Sequence, residues 1–375
     1  MRLALLASCL VVAGCELIAD IPSTSLVPDD AGGTDADGST NGDDAPIDAM
    51  GGCELDSQCA SGVCLLDGSC ADAARILFAS PAGQGATCLP STPCSFDTAV
   101  TKLSAATDVI KLASGVYDRM VQTEIAISAT IAGTGATFHG IPSDGSTVPI
   151  FYSHFNVTAG KLVIIGLDFD LNTTIGMSCP SGEVQLHRTK MHGGYYGIYG
   201  SGTCTTTIDR SSFYGNIWYG AYFATGATVH ITNSYFTDNN PAPGIATVGA
   251  LVFNENVTAT VAHSTFSNNG GDIASIQCTS SPNVTLTSLI SFGNPSPGIA
   301  PTCTVNYSVL DPGYAGPGVN NVTTNPVFGT NYHLSVASPV RGMGDPASTM
   351  SHDSDGEARP QPAGTRADPG ADEVP

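Results

Sequence analysis

The sequence has 375 residues, of which 42% are hydrophobic and 12% are charged, with 43 glycines and 24 prolines. Charge this sparse argues against long solvent-facing helices, which need Glu, Lys and Arg on their outer face. The net charge of −21, with only 12 Lys and Arg residues, argues against a basic nucleic-acid footprint. Residues 3–74 carry 13 acidic and no basic residues, whereas residues 73–344 carry 13 acidic and nine basic ones. A nearly neutral body therefore lies between two acidic segments.

The N-terminus predicts a lipoprotein signal peptide over residues 1–14. A basic start at Arg2 precedes an apolar run over residues 3–12, which is too short to span a bilayer as a mature helix. The sequence Val-Ala-Gly-Cys at 12–15 resembles the bacterial lipobox, which implies a diacylglyceryl anchor on Cys15 and attachment to a membrane. Glu16 after the cysteine favours the outer membrane or cell surface of a Gram-negative bacterium. An ordinary secretory signal with a chance Cys15 is the alternative.

Residues 15–52 are predicted to form a disordered acidic tether. The stretch from Asp29 to Asp48 is low in complexity and rich in Asp, Gly, Ala, Ser and Thr. It cannot bury enough apolar surface to offset its chain entropy. Carboxylates on a flexible chain also make a poor calcium cage, so a tether is the better interpretation.

Ten cysteines remain after Cys9 and Cys15, an even number that fits disulfides in an oxidising compartment. Four of them define a small module over residues 53–72 in which they pair among themselves: Cys53, Cys59, Cys64 and Cys70. Their pairing is open, because four cysteines allow three connectivities. Zinc is the competing interpretation, but the module has neither Cys-x-x-Cys nor a nearby His. Cys88 and Cys94 are close enough to close a loop.

The main body, residues 73–335, contains an internal repeat. From Phe169 the next column members are Met191, Phe213, Phe236 and Phe266, at offsets of 22, 22, 23 and 30. Two further columns alternate with period two, and a polar column follows the aromatic one. The second column is Ile164, Leu186, Ile208, Ile231, Val261 and Leu286, and the third is Leu162, Val184, Thr206, Val229, Ala259 and Val284. The polar column is Asn172, Gly194, Asn216, Asn239, Asn269 and Asn294. Short strands in coils of 22–30 residues are predicted, with side-chain amides hydrogen-bonding along the stack.

This pattern resembles right-handed parallel β-helix repeats of the pectate-lyase-like architecture. The resemblance implies an all-β fold, a single-stranded right-handed parallel β-helix of roughly nine coils with a short N-terminal capping helix, preceded by the signal peptide and linker. Phe96 to Ala106 is predicted as that helix, with Ser95 as its N-cap. In this alignment Cys179–Cys204 and Cys278–Cys303, each 25 residues apart, are predicted disulfides between adjacent coils.

Residues 336–375 are predicted to form a C-terminal cap and acidic tail. Ser338-Pro339, Asp355-Gly356, Arg359-Pro360 and the run at 368–373 resemble the closing segment of bacterial secreted β-helix proteins, which folds back over the last coils. Asp353 and Asp355 could instead ligate calcium, although no Glu follows at the required spacing.

A catalytic hypothesis rests on the densest charge in the body. The register places Asp168 beneath Lys190, Arg188 beneath Arg210 and His187 beneath Asp209. By resemblance to polysaccharide lyases, Lys190 or Arg210 would abstract a proton from a uronate and Arg188 would bind its carboxylate, with Ca²⁺ or another cation stabilising the enolate. Surface ion pairs between coils explain the same pattern. Outside a lyase we expect no cofactor and no metal.

A binding hypothesis rests on aromatic residues in three consecutive coils: Tyr195, Tyr196, Tyr199, Tyr214, Trp218, Tyr219, Tyr222 and Phe223. Aromatic rings stack on sugar faces and recur at recognition surfaces. Part of the set must be buried, and we predict that Tyr199, Trp218 and Tyr222 are exposed. The sequence favours a surface-anchored lipoprotein that binds a polysaccharide or cell-surface glycan, or serves as a structural or adhesive module, without catalysis. A lyase of uronate-containing glycans is the alternative.

Overall fold

The computed structural model describes residues 52–119, 121–141, 152–239, 249–270, 274–281, 283–294 and 298–375. The predicted signal peptide, the lipidation of Cys15 and the tether up to residue 51 lie outside the described residues. Within the described ranges, no helix is long and apolar enough to cross a membrane.

The strands are parallel and belong to three sheets. After the first two strands, consecutive strands lie in different sheets, and the chain comes back to the same sheet one coil later. The first sheet has ten described strands: β1 (Ile76–Ala79), β2 (Val109–Leu112), β5 (Ala129–Ala132), β8 (Lys161–Ile165), β11 (Glu183–His187), β14 (Thr205–Asp209), β17 (Thr228–Thr232), β20 (Thr258–Ala262), β23 (Asn283–Thr287) and β25 (Thr304–Asn306). We call it the ten-stranded sheet.

The other two sheets are named in the same way, by their described strands. The seven-stranded sheet contains β4 (Thr123–Ile125), β7 (Ser153–Val157), β10 (Ile175–Cys179), β13 (Tyr196–Gly200), β16 (Tyr219–Ala224), β19 (Gly249–Asn254) and β22 (Ile276–Thr279). The nine-stranded sheet contains β3 (Gly115–Arg119), β6 (Ala136–Gly140), β9 (Asp168–Asp170), β12 (Lys190–His192), β15 (Ser212–Tyr214), β18 (Tyr235–Thr237), β21 (Thr265–Ser267), β24 (Ile290–Ser291) and β26 (Val309–Leu310).

The predicted columns are confirmed by the strand register. Met191 pairs with Phe169 and Phe213, and the series continues through Phe236 to Phe266. These side chains are fully buried, and the rings of Phe213 and Phe236 stack 4.8 Å apart between centroids. Like residues therefore lie over like residues through a dry core, as the spacing of neighbouring strands requires.

The polar column forms a buried ladder that begins later than the sequence suggested. The amide Nδ2 of Asn216 donates to Oδ1 of Asn239 at 2.9 Å, and Asn239 and Asn269 repeat this bond to the next coil. Asn172 is exposed and stands outside the ladder. The position between them is Gly194, which has no side chain, so only its backbone N–H donates to Asn216 Oδ1.

The one α-helix among the described residues, α1 (Phe96–Thr101), is shorter than predicted. Ser95 caps it, since its Oγ accepts from the N–H of Thr98. The chain leaves the helix after Lys102 and folds into a turn in which Ser104 and Thr107 hydrogen-bond to each other through backbone and side chains. Short 3₁₀ segments occur at Asp56–Gln58, Ala73–Arg75 and Thr330–Tyr332.

The ten cysteines in the described part of the chain form five disulfides. Cys88–Cys94, Cys179–Cys204 and Cys278–Cys303 are the pairs that the sequence indicated. In the Cys-rich module, the pairing that the sequence left open is Cys53–Cys64 and Cys59–Cys70. These bonds leave no thiolate there for zinc.

The C-terminal segment is packed rather than extended as an acidic tail. Residues 367–374 are all buried, and Val340 and Val374 pack with Ile290 and Val309 of the nine-stranded sheet. The side chains of Arg359 and Glu373 are fully buried and lie 3.5 Å apart between Nη1 and Oε2. The buried carboxylates of Asp353, Asp368, Asp372 and Glu373 therefore contribute to folding contacts, because each accepts from backbone N–H groups.

Candidate functional site

The Cys-rich module and the C-terminal segment each pack against strands of one of the three sheets. The Cys-rich module packs Val63 and Ala71 on residues of the ten-stranded sheet, including Val109 and Ile165. The C-terminal segment packs on the last strands of the nine-stranded sheet. Neither of these two hydrophobic clusters includes a residue of the seven-stranded sheet, which carries the candidate recognition surface described next.

Six aromatic side chains form a contiguous surface on the seven-stranded sheet and the turns that lead into it. Every one of them is partly exposed. This set, the aromatic patch, consists of Tyr195, Tyr196, Tyr199, Trp218, Tyr219 and Tyr222. This surface is a candidate binding site, since contiguous exposed apolar patches often mark sites of interaction.

Tyr196 lies at the centre of the aromatic patch. Its ring stacks on Tyr219 at 5.3 Å between centroids and meets Trp218 edge-on at 5.6 Å. Tyr199 and Tyr222 stack 5.6 Å apart with their planes at 5°. The strand register explains this order, because β13 and β16 pair Tyr196 with Tyr219 and Tyr199 with Tyr222. Each ring thus has a counterpart one coil away.

Glycine makes this arrangement possible. Tyr196 and Tyr199 both face outward, while Gly197 and Ile198 between them are buried. A Cβ on Gly197 would lie 2.5 Å from the carbonyl oxygen of Gly220 and 2.6 Å from the Phe213 ring. Only glycine fits at this close approach, and it lets two tyrosines reach the same side of one five-residue strand.

Uncharged polar groups flank the aromatic patch in the same register columns. The column through Tyr199 and Tyr222 begins with Glu124 and also contains Asn156, Ser178, Val252 and Gln277. Asn254 Nδ2 donates to Tyr222 Oη at 3.1 Å. Burial and the neighbouring tyrosines raise the pKa of Tyr196, so its phenol stays neutral. The surface therefore offers rings, hydroxyls and amides.

The residues predicted to be exposed, Tyr199, Trp218 and Tyr222, all lie in the aromatic patch. The sequence analysis underestimated its extent, since Tyr195, Tyr196 and Tyr219 are partly exposed as well. Strict alternation of inward and outward side chains would have buried some of them. The close approach of Gly197 to Gly220 in the next coil breaks that alternation. Of the other two aromatics, Phe223 is in the core and Tyr214 lies on the nine-stranded sheet.

A second polar cluster, the His–Asp ladder, lies on the outer face of the nine-stranded sheet. His139 Nδ1 is 3.0 Å from Asp118 Oδ1, and its Nε2 is 3.8 Å from Asp170 Oδ2. His192 Nε2 is 3.1 Å from Asp168 Oδ1, and its Nδ1 is 4.0 Å from Asp170 Oδ1. The sequence analysis missed Asp118 and His139, although extending the register by two coils would have found them.

Lys190 belongs to this cluster. It is exposed and pairs in register with Asp168 below and Ser212 above. Next to it, His192 stacks on the ring of Tyr214 at 4.7 Å between centroids. Burial and the two aspartates raise the pKa of Tyr214. Lys190, one of the predicted catalytic bases, therefore lies beside Asp168 and Asp170, whose carboxylates could hold a cation.

Arg188 and Arg210 lie elsewhere, at the first position of the turns between the ten- and nine-stranded sheets, each with φ of 50°. Arg188 Nη2 donates to the carbonyl of Glu54 in the Cys-rich module at 3.3 Å. Arg210 Nε donates to the carbonyl of Ser354 in the C-terminal segment at 2.9 Å. Both guanidiniums hold terminal segments in place, and neither lies on the seven-stranded sheet. His187 pairs with Asp209 in register as predicted, and its Nδ1 is 3.0 Å from Asp209 Oδ2.

Asp353 has no free oxygen for a calcium ion. Its Oδ1 accepts from the N–H groups of Asp355, Gly356 and Glu357 at 2.8–2.9 Å. Its Oδ2 accepts from the N–H of Glu373. The Asp-x-Asp-Gly sequence therefore builds a turn around a buried carboxylate.

Comparisons with known proteins agree with this architecture. The family model described as "Right handed beta helix region" matches residues 154–311. The solved structure titled "Crystal structure of pectate lyase Pel9A" is similar with a TM-score of 0.52 and 14% identity, over 80% of this chain and 96% of that chain. No curated protein matches this sequence. The chain is a right-handed parallel β-helix.

On this right-handed β-helix the two surfaces differ in what they can do. The aromatic patch can stack on sugar rings and hydrogen-bond hydroxyls, without a titratable pair for acid–base chemistry. The His–Asp ladder with Lys190 carries titratable groups, which proton transfer requires. The likeness to a lyase at 14% identity concerns the fold and assigns neither role to this chain.

Proposed function

We propose that this protein is a lipid-anchored β-helix of the bacterial cell envelope that binds a polysaccharide or cell-surface glycan along the aromatic patch, without cleaving it. The observation that carries the proposal is six partly exposed aromatic side chains in consecutive coils, with Asn156, Ser178 and Gln277 in the register column that contains Tyr199 and Tyr222. Sugars present apolar ring faces and many hydroxyls, and this surface complements both.

The remainder of the chain fits such a role. The near-neutral body suits neutral or weakly charged polymers. A lipid on Cys15 would hold the chain at a membrane, and a flexible tether of residues 16–52 would let the rod reach about 35 Å from it. The coils stack in one direction, so a long polymer can follow the sheet across several of them.

A glycan array with the purified full chain tests the proposal directly. We expect binding to a surface or plant-type polysaccharide that weakens about tenfold or more in Trp218→Ala and in Tyr222→Ala, since buried or half-buried aromatic anchors dominate such interfaces. Tyr307→Ala, an aromatic truncation outside the aromatic patch, is the matched control and should bind like the wild type. Absence of binding, or equal binding by all variants, would refute the proposal.

A β-eliminating lyase is the second candidate, because Lys190 shares one outer face with Asp168 and Asp170. In that case Lys190 would take the proton alpha to a uronate carboxylate, and the carboxylates of the ladder would hold a cation. The assay is absorbance of the unsaturated product on uronate polymers. Turnover that disappears in Lys190→Ala and persists in Trp218→Ala would replace the binding proposal by the lyase; we expect no turnover.

A further inference from the structure

Three residues that are distant in sequence meet at the C-terminal cap. His333 follows the 3₁₀ turn Thr330–Tyr332, Asp355 lies in the turn built around Asp353, and Asp372 lies near the chain end. His333 Nδ1 is 3.0 Å from Asp372 Oδ1 and 3.4 Å from Asp355 Oδ2. One ligand atom from each residue lies within 4.8 Å of the other two.

The geometry points to a zinc site at His333, Asp355 and Asp372 that joins three separate parts of the C-terminal segment to one another. Zn²⁺ binds imidazole nitrogen and carboxylate oxygen at about 2.0–2.2 Å, so tetrahedral ligand atoms lie about 3.3 Å apart. The two measured separations bracket that value. A calcium site would need six to eight oxygens, and an imidazole does not fit it.

The surroundings orient two of the three ligands, Asp372 and His333. The second oxygen of Asp372, Oδ2, accepts from the N–H of Leu334 at 2.8 Å, which leaves Oδ1 directed at His333. The ring of Tyr235, on β18, packs against the His333 ring at 5.6 Å between centroids. Such outer contacts fix the orientation of ligands and raise metal affinity.

Solvent can reach the site, because the side chains of His333 and Asp355 are 37% and 52% exposed. Asp353 contributes no ligand, since both of its oxygens accept backbone N–H groups. Three protein ligands and one water would complete the coordination of the ion. Because the ligands come from three separate parts of the C-terminal segment, the ion would cross-link them.

A proton shared between His333 and the two carboxylates satisfies the same contacts, so metal binding itself must be measured. The full chain, purified in mild detergent and treated with a chelator, should bind one Zn²⁺ in calorimetry with a dissociation constant in the micromolar range or below. Zinc should raise its thermal midpoint, and Co²⁺ in its place should give the visible absorption bands of a four- or five-coordinate ion.

Two variants and two controls locate the site. His333→Ala should weaken zinc binding by about 100-fold and Asp355→Asn by about tenfold, with secondary structure unchanged by circular dichroism. Asp355→Asn keeps the size of a half-exposed side chain, so it tests the ligand even if His333→Ala folds poorly. His352→Ala, in the same segment, and His192→Ala, in the His–Asp ladder, should bind like the wild type. No zinc binding, or binding that survives both site variants, overturns the proposal.

Discussion

Tyr199 lies directly beneath Tyr222, with ring centroids 5.6 Å apart and ring planes at 5°. This pair joins two adjacent coils from the outside, whereas the core columns join them from the inside. Tyr199 and Tyr222 are each partly exposed, so the pair contributes to stability and to the proposed binding surface at once.

The Tyr199–Tyr222 stack should be measurable as a coupling energy. We expect Tyr199→Ala and Tyr222→Ala to be non-additive in the free energy of unfolding by about 1 kcal/mol, as for other aromatic pairs. Denaturant unfolding of the two single variants and the double variant gives the value. Tyr199→Ala combined with Tyr307→Ala should be additive, and additivity of the stacked pair would show that the rings do not interact.

The asparagine ladder should be the most sensitive polar element. Asn239 donates from Nδ2 to Phe213 O and Asn269 Oδ1, and its Oδ1 accepts from Asn216. Asn239→Ala leaves several buried groups unpaired and should cost about 3 kcal/mol of unfolding free energy. Asn156→Ala, a surface amide on a regular strand, should change stability by about 0.5 kcal/mol or less. Equal effects in denaturant unfolding would contradict a cooperative ladder.

The disulfides between coils should stabilise the folded protein more than the disulfide that closes the short Cys88–Cys94 loop. Cys278 and Cys303 close a separation of 25 residues, whereas Cys88 and Cys94 close one of six. Loop entropy predicts losses of about 3.5 and about 2 kcal/mol, respectively, when each pair is replaced by serine. Mass mapping of the native chain should find no free thiol at these four positions, and a free thiol there would remove the basis of the comparison.

Acid should destabilise the protein through His154. Its Nε2 donates to Thr174 Oγ1 at 3.1 Å, and its Nδ1 is buried without a partner. Burial, with a smaller effect of Arg119, lowers the pKa of His154 to about 3. The unfolded chain binds a proton near pH 6.5 and the folded chain does not, so this histidine removes about 1.4 kcal/mol of stability per pH unit between about pH 6.5 and 3.

His154→Leu isolates that contribution. The free energy of unfolding of the wild type should fall more steeply with acid than that of the variant, by the same amount per pH unit. Above about pH 7.5 the two curves should run parallel, because the histidine is neutral in both states. Parallel curves down to pH 4 would show that His154 is protonated in the folded protein.

Periodicity in the sequence was enough to predict the coils. Each coil needs one large side chain at the same core position, and the column accordingly recurs at offsets of 22, 22, 23 and 30 through Phe169, Met191, Phe213, Phe236 and Phe266. The same register placed Cys179 near Cys204 and Asp168 beneath Lys190. These relations are one coil apart, so local spacing contains them.

The extent of the aromatic patch did not follow from alternation. The sequence analysis assumed that each strand turns every second residue inward, which would have buried part of the set. Gly197 and Gly220 let backbones approach so closely that Tyr196 and Tyr199 share a face. The physical cause is the close backbone contact between glycines of adjacent coils, which a pattern of polar and apolar side chains does not reveal.

The sequence by itself determined the repeat, its columns and the cysteines that join neighbouring coils, because in a stacked β-helix a residue contacts its counterpart one repeat away. Only the tertiary structure decided what the chain ends do. Arg188 and Arg210 stack in register, yet one bonds to Glu54 and the other to Ser354, 134 and 144 residues away. His333, Asp355 and Asp372 likewise meet because an irregular segment folds back on the coils. Irregular segments have no sequence period, so their contacts depend on how they pack against the folded coils.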